Sequence, residues 1–207
     1  MGNEPSLKGS SARLWKLVEE RMQHGADITA IDQRIWDLFG EEWAVVFTDL
    51  AGFSRQVAKF GIIHFLQVML EQQRLLLPIV EQHDGILIKI EADSFLILFK
   101  KPSQALHCCI AMERMCQKVN ERRHAEDQIV LCCGLGFGKL LKIGDEDVFG
   151  HEVNLASKLG EDTAKGNEIL VTRAAKEAIG DMPGTTWEQM SIEAAGETMC
   201  WRVVYRA

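Results

Sequence analysis

The stretch that most constrains this chain is Trp43 to Ser54, WAVVFTDLAGFS. Ala44-Val45-Val46-Phe47 is an apolar run of the kind a buried strand needs, and Asp49 falls where that strand ends. Leu50-Ala51-Gly52-Phe53-Ser54 then makes a small, glycine-containing turn that leads into a helical pattern. A carboxylate at a strand end, beside the N–H groups of a helix start, can hold a metal ion next to a phosphate. It is half of a site, and the rest of the chain has to supply the other half.

Taken in order, residues 11–40 read as two amphipathic helices, Leu14, Leu17, Val18 and Met22 marking one apolar face and Ile31, Ile35, Trp36 and Phe39 the other. Gly40 is expected at the C′ position of the second. A strand over Ala44–Thr48 follows, then a long helix from about Gly61 to His83 with Ile62, Phe65, Leu66, Met69, Leu76 and Val80 as its apolar positions. Pro78 is expected to kink it or split off its last turn. Ile86–Ile90 and Ser94–Phe99 read as a hairpin around Glu91-Ala92-Asp93, and Ser103–Arg122 as a second amphipathic helix. Ile129–Phe137 is an apolar strand, with Leu140–Ile143 and Asp147–Phe149 as short separate pieces. A helix over Val153–Glu161, a strand over Glu168–Val171, a helix over Arg173–Ile179 and a closing pair, Thr185–Met190 with Met199–Tyr205, complete the chain. The order strand, helix, strand, strand, helix, strand predicts an α+β fold: a ferredoxin-like split βαβ core with C-terminal elaborations. We divide it into an N-terminal helical extension, residues 1–42, and a domain over residues 43–207. Helices on one face of such a sheet would leave the other face free to line a site or meet a partner.

A net charge of -7 argues against a general nucleic-acid or anionic-membrane binder, whose affinity rests on Lys and Arg. No apolar run reaches the ~18 residues needed to span a bilayer, so the expectation is a cytoplasmic protein without stable membrane insertion. Gly2 and Ser6 fit the loose N-myristoylation pattern, which is of low specificity. The cysteines, Cys108, Cys109, Cys116, Cys132, Cys133 and Cys200, lie in apolar stretches without C-x-x-C spacing and read as small buried hydrophobes.

In this topology the first strand and the hairpin are neighbours, so Asp49 and Asp93 reach the same end of the sheet. Two carboxylates plus a backbone carbonyl, with phosphate oxygens and water, suit Mg²⁺ or Mn²⁺. The residues alone equally allow Asp49 to cap the following turn and Asp93 to be a hairpin residue.

Three motifs in order, FTDLAGFS, IKIEADSFLILF and DVFGHEVNLASKL, resemble the catalytic domain of class III nucleotidyl cyclases, the adenylyl and guanylyl cyclase family, over about residues 43–205. The resemblance implies that Asp49 and Asp93 are the metal-binding aspartates, that Leu50 supplies a backbone carbonyl, and that Ala51-Gly52-Phe53-Ser54 is the phosphate-contacting loop. It implies two Mg²⁺ or Mn²⁺ ions per site and ATP as substrate. Asn154 would orient the ribose, and Lys158, one helical turn on, stands where the family has its transition-state arginine. Lys89 and Asp147 match the base-reading pair, a donor to ring N1 and an acceptor from the exocyclic amine, which fits adenine. The resemblance also implies a head-to-tail homodimer with shared sites, Asp49 and Asp93 of one subunit facing Lys89, Asp147, Asn154 and Lys158 of the other.

Three positions depart from the pattern. Lys158 lacks the planar fork of arginine. Ala92 replaces a glycine, which strains the hairpin if the position needs φ > 0. Ala195, before Gly196, stands where the family often has a triphosphate-contacting lysine, with Arg202 as a substitute. The sequence therefore supports an adenylyl cyclase making cyclic AMP and pyrophosphate, with a catalytically weak or inactive nucleotide-binding module as the alternative. A diguanylate cyclase is disfavoured, because Glu91-Ala92-Asp93-Ser94-Phe95 replaces its Gly-Gly-Asp/Glu-Glu-Phe hairpin. Residues 11–40 are left as a dimer element, a brace, or a docking surface for a regulatory partner.

Overall fold

The structure, a computed structural model, describes residues 9–194 and 197–205; the side chains at 53–55, 193, 194, 197 and 198 lie outside the description. Two helices, α1 (Ser10–Arg21) and α2 (Ile28–Phe39), precede strand β1 (Gly40–Leu50). Then come α3 (Phe53–Phe60), α4 (Ile62–Gln82), the hairpin β2 (Ile86–Glu91) and β3 (Ser94–Phe99), α5 (Pro102–Asn120) and β4 (Leu131–Ile143). After β4 follow β5 (Asp147–Phe149), α6 (His151–Ser157) running into a π-helical turn (Lys158–Thr163), β6 (Glu168–Val171), α7 (Arg173–Ile179), β7 (Thr185–Ala194) and β8 (Glu197–Tyr205). The sheet runs β2-β3-β1-β4-β6-β8-β7, with β5 on β4, and only β4–β6 is parallel. Its first four strands have the predicted split βαβ order.

β1 is central and buried on both sides. Ala44 and Val46 face the main core with Phe65, Leu76 and Val80 of α4 and Leu106 and Met112 of α5. Trp43 and Val45 point the other way, into a second cluster with Leu96, Leu98, Leu140, Val148, Val153 and Ala156. The second face is therefore not free, as the sequence led us to expect. Over β4 and β1 it is covered by α6.

Glycines make that cover possible. A Cβ on Gly134 would meet the Ala156 carbonyl at 2.1 Å, one on Gly136 the Glu152 carbonyl at 2.6 Å, and one on Gly160 the Phe47 carbonyl at 2.7 Å. Helix and strand backbones thus touch directly. The predicted break between Phe137 and Leu140 is absent: β4 runs straight through Gly138, because its late glycines serve helix packing rather than a turn. Gly40 also differs from expectation. Its φ of -74° is extended, it opens β1, and a Cβ there would strike the Trp36 carbonyl at 2.4 Å. Pro78 sits inside α4, which continues past it to Gln82.

The N-terminal helices brace the domain: Leu14, Leu17, Ile31, Ile35 and Phe39 close on Ile143 and Leu141 at the far end of β4. Asp27 caps α2 by accepting from the Ala30 N–H at 3.0 Å. All six cysteines are free and buried, matching their reading as small hydrophobes. Gly2, Ser6, Ala195 and Gly196 lie outside the described residues.

Candidate active site

Asp49 is the penultimate residue of β1, and its placement follows from the pairing with β3. The register sets Thr48 opposite Phe95, and the buried Thr48 hydroxyl accepts the Phe95 N–H at 3.2 Å. One residue further on, the Ser94 hydroxyl donates to Asp49 Oδ1 at 3.4 Å. Glu91 and Ser94 close the hairpin around Ala92-Asp93. Ala92 sits at φ 52°, the left-handed region that the family's glycine would occupy without strain. Gln72, fully buried on α4, holds the turn from behind by donating to the Asp93 carbonyl at 3.0 Å.

Two carboxyls are thereby pressed together in a poorly solvated place. Burial, then the charge of Asp93 and a hydrogen bond with it, push Asp49 up to about 7, and the charge of Glu161 adds to the rise. Asp93 is raised too, chiefly by burial and further by Glu161, while the bond with Asp49 and backbone N–H groups pull the other way. Asp93 is only 5% exposed, and its Oδ2 has no hydrogen-bond partner. Like charges in a low-dielectric pocket with an orphaned oxygen are stabilised by a proton or by a cation. The residues therefore fit a divalent ion. No group of three or more His, Cys, Asp or Glu side chains that could hold a metal occurs among the described residues. An ion here would have these two carboxylates as its side-chain ligands, with backbone carbonyl, phosphate and water completing the shell.

The turn after Asp49 behaves as the sequence predicts. Gly52 adopts φ 85° and ψ 15° before α3, where a left-handed residue is needed, and its carbonyl accepts the Gln56 N–H at 3.0 Å. The side chains of Phe53 and Ser54 lie outside the description.

The second pair is set by a β-bulge. Ile86 and Leu87 pair with Leu98 and Ile97, but the register then slips so that Lys89 opposes Leu96. Without the slip, alternation would turn Lys89 toward the helices of the main core. With it, Lys89 shares the face of Leu96. There Lys89 Nζ lies 3.2 Å from Asp147 Oδ2 and 2.9 Å from Glu91 Oε1. The bond to Glu91 is the largest influence raising its pKa; burial opposes and Asp147 assists. Asp147 is fixed in turn, since its Oδ1 accepts the Val148 N–H at 2.8 Å.

Asn154 lies on α6 and Lys158 opens the π-helical turn that follows it; both are exposed. Lys158 is ion-paired with Asp162 at 2.7 Å, and neither residue contacts Asp49, Asp93, Lys89 or Asp147 within the chain. Arg202 is ion-paired with Glu168, at 2.9 Å, and with Glu188.

The sequence reading missed four residues that shape this region. Glu161 puts a third negative charge near the aspartate pair. It carried no local signal, since it lies in the π-helical turn after α6. Glu91 was legible as the neighbour of Lys89 two residues along a strand. Gln72 carried no local signal. Glu152 anchors α6: its Oε2 accepts the Phe137 N–H at 3.1 Å and the Thr172 hydroxyl at 2.6 Å, close against Gly136 and Gly138.

The fold and the paired carboxylates at one end of its sheet define a nucleotide-cyclase type of domain. Residues 40–204 match the family described as the adenylate and guanylate cyclase catalytic domain, and the chain belongs to it. It is 25% identical over 130 residues to "Serine/threonine-protein kinase pkn2" of Myxococcus xanthus, covering 63% of this chain and 15% of that protein. It is 27% identical over 116 residues to "Putative adenylate cyclase 3" of Rhizobium meliloti, covering 56% of this chain and 20% of that protein. The chain thus spans a fifth or less of the length of these curated relatives. Among solved structures, the adenylyl cyclase CyaB from P. aeruginosa superposes with a TM-score of 0.69 at 19% identity, over 81% of this chain and 96% of that one. No helix among the described residues is long and apolar enough to cross a membrane.

Proposed function

We propose that the chain is an adenylyl cyclase domain converting ATP to 3′,5′-cyclic AMP and pyrophosphate at sites shared between two copies. The observation that carries the reading is the Lys89–Asp147 pair, a donor and an acceptor 3.2 Å apart on a surface beside the aspartates. Adenine presents an acceptor at N1 and a donor at its amine, which this pair complements; guanine presents the reverse. Asp49 and Asp93 would hold Mg²⁺ or Mn²⁺, with the Leu50 carbonyl completing the protein's share. Bound there, the ions would neutralise phosphate charge and lower the pKa of the ribose hydroxyl. The 3′-oxygen then bonds to the α-phosphorus, the bond to the bridging oxygen breaks, and pyrophosphate leaves with that electron pair. The turn from Ala51 to Ser54 would offer backbone N–H groups to the triphosphate. Asn154 would orient the ribose, and Lys158 would steady charge in the transition state.

Two features support a dimer. Neither Asn154 nor Lys158 hydrogen-bonds to the aspartates of its own chain among the described residues, which suits their presentation by a second copy. Phe60, Ile62, Ile63, Leu66 and Leu70 also form an exposed apolar stripe on α3 and α4. Ile62 and Leu66, expected on the inner face from sequence, are each 50% exposed, which suits a helix face that another copy covers. On this reading residues 1–42 are a regulatory brace, and the domain works in the cytoplasm, where ATP is available.

The test is product formation from ATP and from GTP, each with Mg²⁺ and Mn²⁺, for the native chain and for Asp93→Ala. Cyclic AMP from ATP, lost in the variant, is expected. The pairing of Lys158 with Asp162 favours the weaker reading, a module that binds nucleotide without turnover. Tight MnATP binding with no product would establish that reading instead.

A further inference from the structure

We infer that Glu91 sets the nucleotide affinity of this site by competing with the base for the ammonium of Lys89; the inference rests on the reading of Lys89 as the base contact. A lysine that reads a base needs N–H donors free to meet a ring nitrogen. Here two carboxylates hold a single ammonium, Glu91 Oε1 at 2.9 Å and Asp147 Oδ2 at 3.2 Å, so the nearer partner is Glu91. This juxtaposition is built into the strand. Residues two apart on a strand share a face, and the bulge before Lys89 puts both side chains on the face of Leu96.

The space beside Lys89 leads to the same conclusion. The cavity lined by Phe47, Lys89, Glu91, Ser94, Leu96 and Glu161 has a volume of about 10 Å³. That is room for about one water molecule, so a purine enters only after a side chain moves. Phe47, Ser94 and Leu96 are fixed by the central strands. Of the two glutamates, Glu91 is the one bonded to Lys89. Its side chain is 71% exposed, against 32% for Lys89 and 33% for Asp147, so it can swing into solvent with little loss. Asp147, held by the Val148 N–H, stays in place to accept from the base. Glu91 therefore holds the Lys89 ammonium until adenine displaces it, and it weakens nucleotide binding without touching the phosphates.

The experiment is a double-mutant cycle on equilibrium binding, using isothermal titration of 3′-deoxy-ATP with Mn²⁺; the probe lacks the attacking hydroxyl and cannot turn over. Glu91→Gln keeps the side-chain shape and removes the charge. It should bind about 2- to 5-fold tighter than the native chain, the range expected for an exposed ion pair. Lys89→Met should bind more weakly, and adding Glu91→Gln to it should change nothing further. Unchanged affinity in Glu91→Gln, or a gain that persists without Lys89, overturns the inference and leaves the role of Lys89 standing. Native affinity in Lys89→Met instead sinks the base-reading assignment, and the inference falls with it.

Discussion

The hairpin that carries Asp93 should become more stable when Ala92 is replaced by glycine. Ala92 is at φ 52°, where its Cβ crowds the backbone. Holding a Cβ-bearing residue there costs about 1–2 kcal/mol. Glycine returns about 0.5–1 kcal/mol of that through its larger freedom in the unfolded chain. The net gain is about 0.5–1 kcal/mol. For a chain of 207 residues, at about 2.1 cal/mol/K of unfolding entropy per residue, that raises Tm by about 1–2 °C. The assay is urea unfolding of Ala92→Gly and the native chain at one pH, without divalent ions, with Asn167→Gly as control. Asn167 has φ 64°, but asparagine tolerates that region, so its variant should shift little. Gln72 holds the turn through the Asp93 carbonyl, not through a side chain, so the relaxed hairpin should keep Mn²⁺ affinity. A variant equal to or less stable than the native chain would refute the account of Ala92 as a strained substitute for glycine.

Three further outcomes are expected. Burial lifts Glu113 to about 7 from 4.5, with Tyr205 donating to one oxygen and the other left unpartnered. The folded state then binds more protons than the unfolded one between those values, so stability falls as pH rises through that window. The loss is about 3 kcal/mol by linkage, and melts of Glu113→Gln against the native chain from pH 4.5 to 8 should diverge by that amount; parallel curves refute it. Lys158→Arg should raise kcat about 10-fold or more with little change in KM, since a fork can hold two phosphate oxygens in the transition state; equal kcat removes that role from position 158. Mixing inactive Asp49→Ala with inactive Asn154→Ala should restore roughly a quarter of native activity, because half the dimers form one intact site of two. Heterodimers that form and stay inactive exclude shared sites.

The parts of the site legible in the sequence were those encoded by local period. The continuous apolar run over residues 43–47 marks β1 as a buried strand, and a strand ending at Asp49 beside a Gly52 turn announces a polar site. The left-handed position at residue 92 was signalled only by the glycine that the resembled family has there. Illegible were features that depend on a partner far along the chain. A bulge leaves the composition of Ile86–Glu91 unchanged, yet it decides on which side of the sheet Lys89 emerges. Glycines in β4 look like a break to a pattern reader, because the helix backbone they admit comes some twenty residues later. Gln72 reads as one more polar residue on a helix until its carbonyl partner at Asp93 is known.

These distant pairings hold two groups of candidate residues on different parts of the fold. The aspartates are positioned by the main core: β1 and β3 are locked by Thr48, and the hairpin is held from α4 by Gln72. Asn154 rides on α6 and Lys158 on the turn that follows it, and α6 is locked to β4 by the glycines and by Glu152. Packing of Val153 and Ala156 with Val45 holds α6 against β1. A chain cannot fold α6 over its own aspartates without opening that second cluster. On the proposed reading, closing the site is then the work of an interface between two copies.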